Sequence, residues 1–143
     1  MARTALRLPL LGFLLSLAFA AEAQHVFGDY AVHHGTMLTV KLDPEVASRF
    51  DVRRSDHRAL VTVSVRKRLA DGGSRAVHAA VEATAVNLSA QRRELAIREA
   101  DEGDAIYYLA DFRIDPPETV RIEVRVRPED TQRTHTFEIS RTF

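Results

Sequence analysis

Half of the six histidines cluster near one end of the chain, at His25, His33 and His34, in the stretch QHVFGDYAVHHG. Imidazole is a common metal ligand, so the first question is whether these rings can meet around one ion. If residues 26–34 form one strand, His33 and His34 project from opposite faces and cannot share it. His25 and His33 then share a face, but lie about 26 Å apart at ~3.3 Å per residue. Ligands must converge to roughly 2 Å from the metal. The cluster in sequence is therefore read as structural. The alternative is a copper or zinc site drawing on His25, His34 and Met37, or on His25 with a newly exposed N-terminus. No cofactor is expected.

Other candidate chemistry is sparse. The run Asp101-Glu102-Gly103-Asp104 lacks the spacing of a calcium loop and reads as a solvated hairpin tip. The sequon Asn87-Leu88-Ser89 matters only in a host that glycosylates. The chain contains no G-x-S-x-G motif, phosphate-cradling glycine loop or cysteine, so a non-enzymatic protein is expected. Arg66 and the arginines of residues 118–127 could present an anion-binding face. Alternating charges of this kind usually make cross-strand pairs, here with Glu82 or Glu123.

The segment GDAIYYLADF is the most informative. Ile106, Tyr108, Ala110, Phe112 and Ile114 form one apolar face, while Ala105, Tyr107 and Leu109 make the other apolar as well. Such a strand is either covered on both sides or exposes a patch that binds something. A ligand or partner surface is accordingly expected around Tyr107 and Leu109, with Tyr30 as a neighbour.

The elements that must carry these residues show period-two alternation, the mark of half-buried strands. In TVRIEVRVRP, Val120, Ile122, Val124 and Val126 face one way and the charged residues the other. RALVTVSVRKR and RAVHAAVEATAV repeat the pattern, and ELAI, DAIYYLADF and THTFEISRTF supply further strands. Turns are expected at Asp71-Gly72-Gly73-Ser74 and Glu102-Gly103, and a connection at Asp115-Pro116-Pro117. LDPEVASRF should form one short helix, with Asp43 as N-cap and Pro44 at its first position. The expected fold is all-β: an immunoglobulin-like antiparallel β-sandwich of about seven strands with one short helix. A closed barrel is the second choice.

The first residues set the compartment. Arg3 and Arg7 precede an apolar run from Leu8 to Ala20, and Ala21-Glu22-Ala23 is an A-x-A cleavage pattern, with Ala18-Phe19-Ala20 as an alternative. Residues 1–23 thus read as a secretory signal peptide and residues 24–143 as a single domain. The apolar run is too short to span a bilayer comfortably. Stable membrane insertion is not expected.

The chain has 20 basic and 20 acidic residues, and losing Arg3, Arg7 and Glu22 leaves it near neutral, which argues against nucleic acid. Only Lys41 and Lys67 among the basic residues are lysines, a bias that fits a GC-rich bacterial genome and hence the periplasm. The closing residues Phe137, Ile139 and Phe143 resemble the last strand of an outer-membrane barrel. However, Arg141 breaks the alternation and there is no tryptophan for interfacial girdles.

The blocks FGDYAVHH, LDPEVASRFDVRRSDHRALVTVSVRK, ATAVNLSAQRRELAIREADEGDAIYYLADFRID and the β-rich tail resemble a family of small secreted bacterial proteins, domain of unknown function 4426. The resemblance covers nearly all of residues 24–143. It implies an immunoglobulin-like sandwich exported to the periplasm, and no activity. The expected role is a binding or interaction module for an unknown protein or envelope ligand.

Overall fold

The computed structural model describes residues 23–143; the expected signal peptide lies outside the described residues, apart from Ala23. Ten strands form two antiparallel sheets. The first sheet runs β1 (Ala23–Phe27), β2 (Tyr30–Leu38), β3 (Arg58–Arg68), β8 (Ile106–Arg113) and β7 (Arg98–Asp101), with β4 (Ser74–Ala76) also paired to β3. The second runs β10 (His135–Thr142), β9 (Thr119–Pro128), β5 (Ala79–Asn87) and β6 (Arg92–Glu94).

The sheets pack as a sandwich because alternation puts one apolar row of each strand inside. Val61, Val63 and Val65 of β3, Tyr108, Ala110 and Phe112 of β8, and Val120, Ile122, Val124 and Val126 of β9 belong to one buried core. The outer face of the second sheet is polar, with Arg125 set against Glu82 and Arg92 and Arg121 against Glu123. Arg121 and Arg125 are thus spent on cross-strand pairs with Glu138 and Glu82, while Arg66 instead holds Ser74 and the Asp104 carbonyl.

The strand count exceeds the expected seven because three apparent strands are interrupted. Residues 26–34 are not one strand. Gly28 and Asp29 form a two-residue turn, and β1 folds back on β2 with Phe27 opposite Tyr30 and His25 opposite Val32. Gly28 has φ 59, the positive value that a glycine-first hairpin turn needs. RAVHAAVEATAV also breaks: β4 pairs with the first sheet and β5 with the second. The buried Val77 makes the crossing, its N–H donating to Val65 O at 3.0 Å. ELAI crosses back from β6 to β7, with Leu95 and Ile97 packed on the core edge.

Among the described residues one α-helix, α1 (Pro44–Arg49), follows a 3-10 turn at Thr39–Lys41 and has Asp43 as N-cap, whose carboxylate accepts from Glu45 N at 2.8 Å. Its buried side, Val46 and Ala47, joins Leu42, Val52, Leu60 and Leu109 in a second apolar cluster. Leu60 and Leu109 point away from the main core, so α1 and its flanking loops form a third layer on the outer face of the first sheet.

Candidate histidine site at the sandwich edge

The hairpin changes what the histidines can do. Because paired residues of antiparallel strands share a face, His25, Val32 and His34 all point inward from β1 and β2. His25 and His34 therefore meet, with ring centroids 5.1 Å apart and planes inclined by 20°. Both stack on Phe137 of β10, at 4.5 Å from His25 and 5.1 Å from His34. Phe27 stacks on His135 at 4.4 Å, and Tyr30 lies 6.4 Å from that ring. The edge strands of the two sheets, β1 and β10, are thus joined by aromatic rings.

His34 is the unusual member. It is 8% exposed, and neither Nδ1 nor Nε2 has a hydrogen-bond partner. Leaving buried polar groups unpaired costs about 1–3 kcal/mol. Burial, followed by the nearby charges of His25 and His33, pushes its pKa down to about 4. At neutral pH the ring is uncharged and keeps a lone pair. His25 beside it is only half-buried.

The end of this edge is tied by a polar clasp. Tyr30 donates to Asp130 Oδ1, and Lys67 donates to Asp130 Oδ2, each at 2.5 Å. These bonds hold the Asp130 carboxyl below its ordinary range. The bond to Asp130 also raises the Tyr30 hydroxyl, against the opposing pull of Lys67.

The other expected residues lie elsewhere. Met37 projects from the opposite face of β2 and packs with the cluster under α1, so it cannot join His34 around one ion. His33 has the same outward parity, opposite Ser64.

The expected patch at Tyr107 and Leu109 is covered. Leu109 is 4% exposed beneath α1, and Tyr107 meets Phe50 edge-on at 6.3 Å. Tyr30 is no neighbour of Tyr107: their partners on β3 are Lys67 and Ser64, which point to opposite faces. Tyr108, on the core face, donates to Glu99 at 2.8 Å and accepts from Ala79 N at 2.8 Å. Glu99 also meets His78 Nδ1, and this contact raises the His78 pKa.

Phe27, Phe137 and His135 belong to the site but were not linked to the histidines from the sequence. The signal was the Gly28-Asp29 pair between two short alternating stretches. The mate strand for Phe137 had no local signal. Among the described residues no three His, Cys, Asp or Glu side chains group as a ready metal cage, and no helix is long and apolar enough to cross a membrane.

The family model for the domain of unknown function DUF4426 matches residues 24–143. The chain belongs to the DUF4426 family. A crystal structure of a DUF4426 family protein from Pseudomonas aeruginosa PAO1 is 29% identical, with TM-score 0.74, over 87% of this chain and 96% of that one. The chain also resembles FetP of uropathogenic Escherichia coli strain F11, recombinantly expressed in the periplasm of E. coli BL21(DE3), at TM-score 0.62 and 8% identity over 86% and 93% of the two chains. A copper-bound variant of FetP gives TM-score 0.59 at 8% identity, over 86% and 90%. At that identity the likeness is one of fold. None of the curated proteins matches the chain.

Proposed function

We propose that this DUF4426 protein is a non-enzymatic periplasmic metal-binding module, with His25 and His34 as the ligands and copper as the metal. The supporting observation is that His34 is buried and uncharged, with both ring nitrogens unpartnered, directly against a second imidazole. A metal ligand must be deprotonated, and burial holds His34 in that state.

In their stacked pose the rings do not aim nitrogens at one point. Linear ligation of one ion would require the half-exposed His25 ring to rotate until a nitrogen stands about 4 Å from one on His34, twice the ~2 Å ligand distance. Zinc sites usually take three or four protein ligands, whereas copper(I) accepts two imidazoles in a line. The aromatic wall of Phe27 and Phe137 would limit water access and favour the reduced ion. The fold is one on which copper binding occurs, as in the copper-bound FetP variant, and the periplasmic expression of recombinant FetP accords with a periplasmic location.

Anaerobic copper(I) titration against a chromophoric chelator, with zinc(II) titrated in parallel, tests the reading. One equivalent of copper should bind below micromolar and more tightly than zinc. His34→Phe and His25→Phe should each weaken it about tenfold or more, as ligand loss does. Met37→Leu should leave it unchanged. Undiminished copper binding in His34→Phe, or no binding by the native protein, would refute the proposal.

A further inference from the structure

At the other end of β2 from the Gly28 turn, a cleft of about 320 Å³ is lined by Arg53, Arg54, Ser55, His57, Arg58 and Arg113. No apolar side chain lines it. In a chain with equal numbers of acidic and basic residues, four guanidinium groups around one hollow mark a concentrated field.

The nearby carboxylates cancel only the part of that field that comes from Arg58. Asp111 is held between Arg58 at 2.6 Å and Arg98 at 3.2 Å. Asp56 sits against the His57 ring at 2.7 Å. Arg54 donates to Val40 O at 2.8 Å, a bond that takes no charge from it. Among the described residues, the guanidinium groups of Arg53 and Arg113 make no ion pair or hydrogen bond, although their backbone carbonyls accept from Thr39 Oγ1 and Arg93.

This differs from the outer face of the second sheet, where arginines and glutamates pair off. We propose that the Arg53–Arg113 cleft binds a phosphate-type oxyanion. The arginine fork matches tetrahedral phosphate oxygens bidentately. A polar hollow of this size suits one phosphate or pyrophosphate group and offers nothing to an apolar tail.

The backbone beneath is already fixed. Thr39, fully buried, donates through its hydroxyl to Arg53 O at 2.8 Å and accepts from Ser55 N at 2.9 Å. Val40 N donates to Ser55 O at 3.1 Å, and Ile114 N donates to His57 O at 3.0 Å. The loop 53–57 and the end of β8 are thereby set before any ligand arrives, which lowers the ordering cost of binding.

The test uses three probes on the protein: inorganic phosphate and pyrophosphate by calorimetry, and sedimentation with phosphatidate-containing vesicles, with pure phosphatidylcholine vesicles as the control. Binding of pyrophosphate, weakened about tenfold or more by Arg53→Gln with Arg113→Gln, assigns a soluble phosphate ligand. Sedimentation with phosphatidate vesicles alone, lost in the same variant, assigns a phosphate headgroup. Both side chains are exposed, so the variant should melt like the native protein. Binding of neither probe, or binding indifferent to the two substitutions, would overturn the proposal. The His34 site shares no residue with this cleft, so its copper titration stands separately.

Discussion

Replacing His34 by phenylalanine should flatten the acid side of the stability curve. The unfolded chain protonates His34 near its ordinary pKa of 6.5, whereas the folded chain holds it neutral until about 4. Between these values the unfolded state binds more protons, so stability falls as pH drops. Linkage over this interval makes the native protein lose about 2.5 kcal/mol between pH 7.5 and 4.5 through His34 alone.

Other groups largely stay out of this window or cancel. Glu99, Glu123 and Asp130 have depressed pKa values, and their contributions are lost only at lower pH. His78 has a raised pKa, so its contribution is already present below 6.5. His135, lowered by burial and by Arg133, acts in the same sense as His34 but is common to both proteins.

Phenylalanine keeps a flat ring against both His25 and Phe137 while removing two unpaired nitrogens. The apo variant should therefore be at least as stable at pH 7.5, by up to about 1–3 kcal/mol. Urea unfolding at pH 7.5, 6.5, 5.5 and 4.5 gives the measurement. The native midpoint should drop by roughly 1–2 M more than that of the variant across the range. Parallel losses in the two proteins would show that His34 is not held neutral by burial and would undo the argument.

Leu109→Ala should cost about 2–5 kcal/mol and Tyr108→Ala about 3–5 kcal/mol, both read from urea midpoints. Tyr107→Ala, half-covered by Phe50, should cost less than either; an effect as small as that of a fully exposed residue would mean that α1 does not cover this face. Gly28→Ala should strain the turn by about 1 kcal/mol and weaken copper binding, because the turn is what returns His25 to His34. Copper affinity untouched in a Gly28→Ala protein that shows the expected stability loss would separate the hairpin from the site.

The sandwich was legible in the sequence where one residue's face is set by its neighbours two positions away. TVRIEVRVRP sorts its four apolar residues inward on any backbone of strand type, and they are buried in β9. Asp43-Pro44 starts α1 because the cap and the fixed proline φ act within one turn of chain. The break in RAVHAAVEATAV was not legible, since alternation continues through a crossing when both sheets share one core. Coverage of Leu109 by α1 was also undecided, because an apolar outer face asks for a partner without naming it.

What the sequence determined by itself, then, was the type of structure and the side to which each alternating residue turns. These follow from the two-residue period of extended backbone. What only the tertiary structure decided was which inward residues meet. The two-residue turn at Gly28 brings His34 to His25, and the packing of β10 across from β1 encloses both against Phe137. Likewise, Arg53 and Arg113 lie far apart in the chain and line one cleft because buried Thr39 anchors the loop beside the end of β8. Contacts of that kind depend on strand pairing and sheet packing, and their partners are fixed by the burial of the whole core.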